Sequence, residues 1–263
     1  MASSIDLKEL HERFYDPRKL MEIYFTPKFS FFDDIIIQMF SNLIKIYASG
    51  DVKGDSLIVL SCGHHIYSAL PACEYFNEIT FASADGKSIQ EIQKWLKNEP
   101  DAMDYGQTIK EICKLQGCGE TWIEKQHMLQ TKIKTVLECD VTSRNPLSPV
   151  IHPQADCLLL VHCLENLVSD EKSYCEALTN VSSLLKPGGH LVMCATLETT
   201  FYMCGDFKFP LFCMDVNFLK DALTKAGYVI EEIHILPRKV DCLYDVTDYK
   251  SFIVLKARKC REL

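Results

Sequence analysis

The sequence predicts an α/β fold, a mostly parallel sheet covered by helices on both faces. Three observations carry this. The apolar runs at Leu57–Leu60, Ile79–Ala82, Cys157–Val161 and His190–Ala195 lack the every-second-residue alternation of a half-exposed strand, so both of their faces are buried. Segments of helical period alternate with those runs. The chain has 263 residues, 48% apolar and 24% charged, enough for one large domain with a well-buried core.

Taken in order, residues 6–24 read as helical, with Leu7, Leu10, Phe14, Leu20 and Tyr24 as apolar positions. Pro17 suits the first turn of a second helix that Asp16 caps. A helix over 29–48 follows from Phe31, Ile35, Ile36, Phe40, Leu43, Ile44 and Tyr47, and Gly50 stops it. After the first two strands a helix runs through Ile89, Ile92 and Trp95. Helices are expected near 106–115 and 120–132, and Lys134–Cys139 is the third strand. Residues 170–185 read as a helix ended by Pro187-Gly188-Gly189, and Val216–Ala226 as one ended by Gly227. Tyr228–Leu236 and Ser251–Ala257 close the sheet, with a connection short enough for antiparallel pairing. Lys256, Lys259 and Arg261 read as a solvated tail.

A net charge of −8 and a pI near 5.5 argue against a general binder of nucleic acid or anionic membrane. No apolar run reaches the roughly 18 residues of a membrane span. Met1-Ala2-Ser3-Ser4-Ile5-Asp6 turns polar at once, unlike a signal peptide. The 13 cysteines include no CxxC pair, so free thiols in a reducing, cytoplasmic setting are expected and a structural zinc is not.

Ser56–His65 reads as a buried strand entering a tight turn before a helix, where a nucleotide-type cofactor sits in such folds. The turn holds one glycine, Gly63, and no GxGxxG, which disfavours an NAD site. Three further segments are Tyr15-Asp16-Pro17-Arg18 with Tyr24-Phe25, Trp95-Leu96-Lys97-Asn98-Glu99-Pro100, and Ser183 through Val192 containing Lys186-Pro187-Gly188-Gly189. With Leu137–Val141, Ala155-Asp156-Cys157 and Ala226-Gly227-Tyr228 in order, they resemble the small-molecule N-methyltransferases of the nicotinamide, indolethylamine, thioether and phenylethanolamine group.

The resemblance implies a class I methyltransferase (Rossmann-like) fold. Its sheet has seven strands, mostly parallel with one antiparallel strand, in a single domain over 1–263 with 1–50 as an N-terminal helical cap. It implies transfer of methyl from S-adenosylmethionine (SAM) to a small amine or heteroaromatic nitrogen by a cytoplasmic monomer. Such a reaction depends on in-line positioning and exclusion of water, with no catalytic side chain and no metal. Tyr24, Gly63, Tyr67, Asp140 and Val141 match the family's cofactor positions, and Tyr202 its substrate-stacking tyrosine.

Other positions depart from the family. Its first strand ends Asp-Ile-Gly-Ser-Gly-Pro, here Val59-Leu60-Ser61-Cys62-Gly63-His64. The ribose-gripping acid falls at Ser83, with Asp85 two residues on as a partial substitute, and a later asparagine falls at Ser88. Two N-terminal tyrosines fall at Leu20 and Phe25. A hydrogen bond to a charged group contributes about 1.5–3 kcal/mol, so losing two carboxylates costs about 3–6 kcal/mol. Two readings follow: a SAM-dependent enzyme with a modified cofactor site, or a relative with weak or no SAM binding that acts as a binding or structural protein. The acid that recognises a carboxamide falls at Ala195, which disfavours nicotinamide.

The remaining candidates have ordinary readings. His64-His65 suit a surface or a helix cap better than a metal site. Cys62, at a helix start, and Cys163 read as buried inert thiols rather than reactive ones. Glu165, after the fourth strand, is within reach of the methyl-transfer region but reads better as a solvated loop charge, and Phe201–Pro210 reads as either a substrate wall or a packed flap.

Overall fold

The computed structural model describes residues 7–25, 35–118, 121–238 and 246–260. Helices α1 (Leu7–Phe14), α2 (Pro17–Tyr24) and α3 (Ile37–Ala48) precede the sheet. Asp16 caps α2 as its sequence position requires, accepting hydrogen bonds from the Arg18 and Lys19 amides at 2.9 and 3.3 Å. Phe31 and the start of the expected third helix lie outside the described residues, as does Arg261. Gly50 ends α3 with a φ of +84°, a conformation glycine adopts without strain.

Then come β1 (Gly54–Ser61), β2 (Phe76–Ser83), α4 (Gly86–Leu96), α5 (Gly106–Leu115), α6 (Trp122–Lys132), β3 (Ile133–Glu138) and β4 (Ala155–Val161). The second half holds α7 (Leu164–Leu167), α8 (Glu171–Ser182), β5 (Leu185–Leu197), β6 (Phe201–Cys204), β7 (Phe207–Pro210), α9 (Val216–Lys225), β8 (Tyr228–Pro237) and β9 (Ser251–Lys259). Seven strands form one sheet in the order β3-β2-β1-β4-β5-β9-β8. The β1–β2, β2–β3, β1–β4 and β4–β5 pairs are parallel, and β9 runs antiparallel to both β5 and β8.

Both sheet faces are dry, as the unalternating strands require. Leu57, Val59, Phe81 and Leu159 face a core shared with α3–α6, whereas Ile58, Leu60, Leu158 and Leu160 face one shared with α8 and α9. Of the expected 1–50 cap, α1 and α2 contact α7, α4 and β6 at the carboxyl edge of the sheet, while α3 packs on its face against β8 and β9.

Three local expectations need correction. Pro187-Gly188-Gly189 does not end a helix: α8 stops at Ser182, and these residues open β5. A register shift opposite Ala155–Cys157 accommodates them, and a side chain at Gly189 would strike the Asp156 carbonyl. The turn after β1 enters a four-residue 3₁₀ segment, Ile66–Ala69, rather than an α-helix. Lys256 and Lys259 are not in a solvated tail: both are buried in β9, Lys256 reaching Asp51 and Lys259 donating to the Ser182 and Leu185 carbonyls at 2.8 Å each.

Candidate functional site

The ends of β1, β4 and β5 open under the α1–α2 cap, where the ligands of such sheets bind. A cavity of about 100 Å³ lies there. The cap supplies Tyr15, Leu20, Tyr24 and Phe25, and the sheet edge Cys62, His65, His162, Asn166 and Thr196. Tyr202 on β6 also lines it, so the Phe201–Pro210 segment is a hairpin that forms a wall. Tyr202 stacks on Phe209 with ring centroids 5.1 Å apart. Tyr24 uses its hydroxyl to bond the Val246 carbonyl at 2.9 Å and to accept the Met203 amide at 3.3 Å, tying cap to hairpin.

The β1 turn is built differently from an anion or cofactor cradle. Val59 is fully buried in the core. The Ser61 hydroxyl bonds the His65 Nδ1 at 2.6 Å and accepts the Gly63 amide at 3.1 Å. A Cβ placed on Gly63 would collide with the Tyr15 hydroxyl, so the face that glycine leaves open is filled by the chain itself. His11, on α1, lies 3.5 Å from the Cys62 sulfur and 3.4 Å from the Tyr202 hydroxyl, with its ring centroid 4.8 Å from that of Phe209.

On the far side of His11 is a second cavity of about 180 Å³, whose lining includes Lys8, His11, Ala84, Asp140, Val141 and Leu167. The Asp140 Oδ1 accepts the Thr142 amide and hydroxyl at 3.0 and 2.6 Å, the ordinary turn role of an aspartate. Ser83 and Asp85 stand nearby but are occupied. The Ser83 hydroxyl accepts the Asp85 amide at 3.2 Å, and the Asp85 carboxylate caps α4 through the Ser88 amide at 2.7 Å. Tyr67 does not line either cavity; its ring packs among Phe25, Phe40, His65 and Tyr105.

His64 and His65 are buried rather than surface residues, and neither caps an α-helix. Burial lowers the pKa of His11 to about 4 and of His64 to about 3. His65 is pushed well below its usual value, by burial first and then by its histidine neighbours. The thiols of Cys62 and Cys163 are raised well above theirs by burial, in keeping with the inert reading. Glu165 is not solvated: at 3% exposure it stands 3.6 Å from His162 Nδ1 and accepts the Thr196 amide at 3.4 Å. His162 holds a φ of +44°, the left-handed region, at the rim of the first cavity.

His11 and His162 are the site residues that sequence reasoning missed; Tyr15 entered it only as part of a family segment, and Glu165 was weighed but read as solvated. His11 had a signal, since it falls on the same helical stripe as Leu7 and Phe14. The helix is turned so that His11 faces inward and Phe14 is 43% exposed.

SAM carries an ammonium, a sulfonium and a carboxylate at its methionine end. Residues lining the first cavity and the β1 turn offer hydroxyls, an amide and imidazoles, those of His64 and His65 kept uncharged by burial; among the described residues no carboxylate lines the first cavity, although Asp85 and Glu165 stand close enough to act on Cys62. The Gly63 amide is already bonded and the space over Gly63 is filled. The methionine half therefore does not fit SAM, whereas the second cavity keeps Asp140 and Val141 beside apolar walls suited to an adenine ring.

The fold recurs in solved methyltransferases. The magnesium protoporphyrin IX methyltransferase of Synechocystis PCC 6803, solved with bound SAM, superposes with a TM-score of 0.59 at 11% identity, covering 98% of this chain and all of that one. The N-methyltransferase NodS of Bradyrhizobium japonicum WM9, in complex with S-adenosyl-L-homocysteine, gives 0.54 at 12% identity over 93% and 98%. In sequence, the human nicotinamide N-methyltransferase is 38% identical over 238 residues, 90% of each chain. The mouse indolethylamine N-methyltransferase is 34% identical over 254 residues, 94% of this chain and 95% of the relative. The human phenylethanolamine N-methyltransferase is 32% identical over 222 residues, 82% and 78%. Residues 3–260 match the model of the NNMT/PNMT/TEMT family. With these identities spread over nearly its whole length, the chain belongs to the NNMT/PNMT/TEMT family of SAM-dependent N-methyltransferases.

Proposed function

We propose that the chain is a binding member of its family. It takes a small, neutral aromatic or heteroaromatic amine in the cavity beneath the β6–β7 hairpin, with SAM binding weak and methyl transfer slow or lost. The observation that carries this reading is the β1 turn: the Tyr15 hydroxyl occupies the open face of Gly63, while Ser61 holds the Gly63 amide. The aromatic walls favour a planar apolar ligand. Ala195, at the position where the family resemblance puts a carboxamide-reading acid, offers no such group and disfavours nicotinamide.

A second reading keeps the family reaction, SAM-dependent N-methylation of such an amine. Asp140 and Val141 lining a cavity at the adenine end favour it.

Thermal unfolding with SAM or S-adenosylhomocysteine separates the two, because a ligand of the native state raises the midpoint by mass action. The binding reading expects no shift at about 1 mM ligand and no transfer of radiolabelled methyl to a panel of aromatic amines. A low-micromolar dissociation constant for SAM, or steady turnover of any amine, selects the enzyme reading.

A further inference from the structure

Two cysteines that line neither cavity stand at a helix end whose backbone brings them together. We propose that Cys113 and Cys118 are a redox modification site, two thiols that a peroxide converts to a reversible disulfide. The proposal is independent of what the cleft binds.

The pairing starts from the backbone. Helix α5 closes on Gly117, which holds a left-handed φ of +76°. The Gly117 amide donates to the Lys114 carbonyl at 3.0 Å, and the Cys118 amide to the Cys113 carbonyl at 2.9 Å. These two hydrogen bonds make a Schellman ending, which folds the residue after the glycine back onto the residue five places earlier. The two positions that meet there usually hold apolar side chains; here both hold free thiols. Burial first, and then Cys118 through its charge and a side-chain hydrogen bond, raise the Cys113 thiol to about 12.

Burial also divides the roles. Cys118 is half-buried and open to a small oxidant, whereas Cys113 is fully buried and keeps its proton at neutral pH. Cys118 is therefore the thiol a peroxide meets first, and Cys113 the one that resolves it. In the first step the Cys118 sulfur attacks hydrogen peroxide. An S–O bond forms, the O–O bond breaks, and the released hydroxide takes the thiol proton as water. In the second step the Cys113 sulfur attacks the sulfenic sulfur of Cys118. The S–S bond forms, the S–O bond breaks, and the oxygen leaves as water with the Cys113 proton. Two thiols and one peroxide thus give one disulfide and two waters.

The surroundings suit this chemistry better than a metal. Lys125 is buried at 5% exposure, 2.6 Å from the Glu74 carboxylate, and its charge opposes the effect of burial on Cys113, which eases the second step. A third thiol, Cys73, lies within electrostatic reach of both, but burial raises it to about 11 and its sulfur meets Met128 at 3.9 Å. Among the described residues these thiols do not gather closely enough to hold a metal ion. A disulfide of this kind fits a reducing setting, where such bonds are transient and sense oxidant.

A peptide map of the full chain tests this, after reduction, treatment with hydrogen peroxide and digestion by trypsin without reductant. Cleavage after Lys114 puts the two thiols in separate peptides, 111–114 and 115–125. The expected product is those two peptides joined, lighter than their sum by two hydrogens and parted by dithiothreitol. Cys118→Ser should abolish it. Cys113→Ser should leave Cys118 as a sulfenic acid that dimedone captures several-fold more than in the unaltered chain, with thermal unfolding confirming that each variant folds. The joined peptides are read on the unaltered chain, so the outcome does not depend on a variant folding. Free thiols at both positions while the exposed Cys213 and Cys260 oxidise overturn the proposal. So does Cys118 joined to Cys73, or Cys118 carried to sulfinic acid with Cys113 still reduced.

Discussion

The two edges of the sheet handle polar groups in opposite ways. At the amino edge the charges are paired across strands. Asp156 accepts the Asp55 and Ser56 amides at 2.8 and 3.0 Å and pairs with Lys186 at 2.6 Å, joining β1, β4 and β5. Lys256 reaches Asp51 at 2.8 Å, and Glu231 faces Arg258 and His190. Asp51, His190 and Glu231 are the one metal-like grouping among the described residues, and the chain's own cations already lie against it. At the carboxyl edge, by contrast, His64 and Tyr67 bury polar atoms with no hydrogen-bond partner. Paired charges hold a fold together. Unpaired neutral groups weaken it.

The largest test of this contrast is acid. His11, His64 and His65 have folded pKa values below the 6.5 of an unfolded histidine, so the unfolded chain binds more protons below that pH. Their contribution is complete above pH 6.5 and is lost as pH falls toward 4 and 3. Each histidine costs about 1.4 kcal/mol per pH unit in that window. Urea unfolding from pH 7 to 5 should show a steep fall that His64→Phe reduces; an unchanged slope in that variant would mean the histidines are hydrated and the edge is not dry.

A smaller effect is expected at the other edge. Asp156→Ala removes two amide bonds and the Lys186 pair and should lower stability by about 2–3 kcal/mol, most of it from the amides because Lys186 is half-exposed. The Asp156 carboxyl is held below its usual range by Lys186 and those amides, despite the opposing effect of burial. Its contribution is therefore present at neutral pH and fades only in acid, as the pH falls through that lowered value.

The smallest effect is at Tyr67. Its hydroxyl has no partner, so Tyr67→Phe should leave stability unchanged or raise it by up to about 1 kcal/mol. Destabilisation by that amount, measured in urea, would place a structural water on the hydroxyl and bring the two edges closer in kind.

The fold was legible because each strand announces double burial through continuous apolar residues, and Asp16 and Gly50 mark helix ends by local chemistry. Val59, Ser61 and Ser83 were equally legible as departures, since a missing charge is a property of the residue alone. His64, Glu165 and Tyr15 were not. Whether a polar side chain is buried depends on what distant segments bring over it, here α1 and the β6–β7 hairpin, and no local pattern encodes that. The glycines after α8 misled for a related reason: they punctuate a strand's entry as readily as a helix's end.

The place of β9 has a consequence for how the protein is made. The sheet's last strand in chain order is not at its rim but between β5 and β8. Until residues 251–259 are synthesised, β5 keeps a bare edge and β8 has no neighbour to pair with. The nascent chain must carry two sticky margins through most of translation, and a stop codon shortly before Ser251 would make that condition permanent.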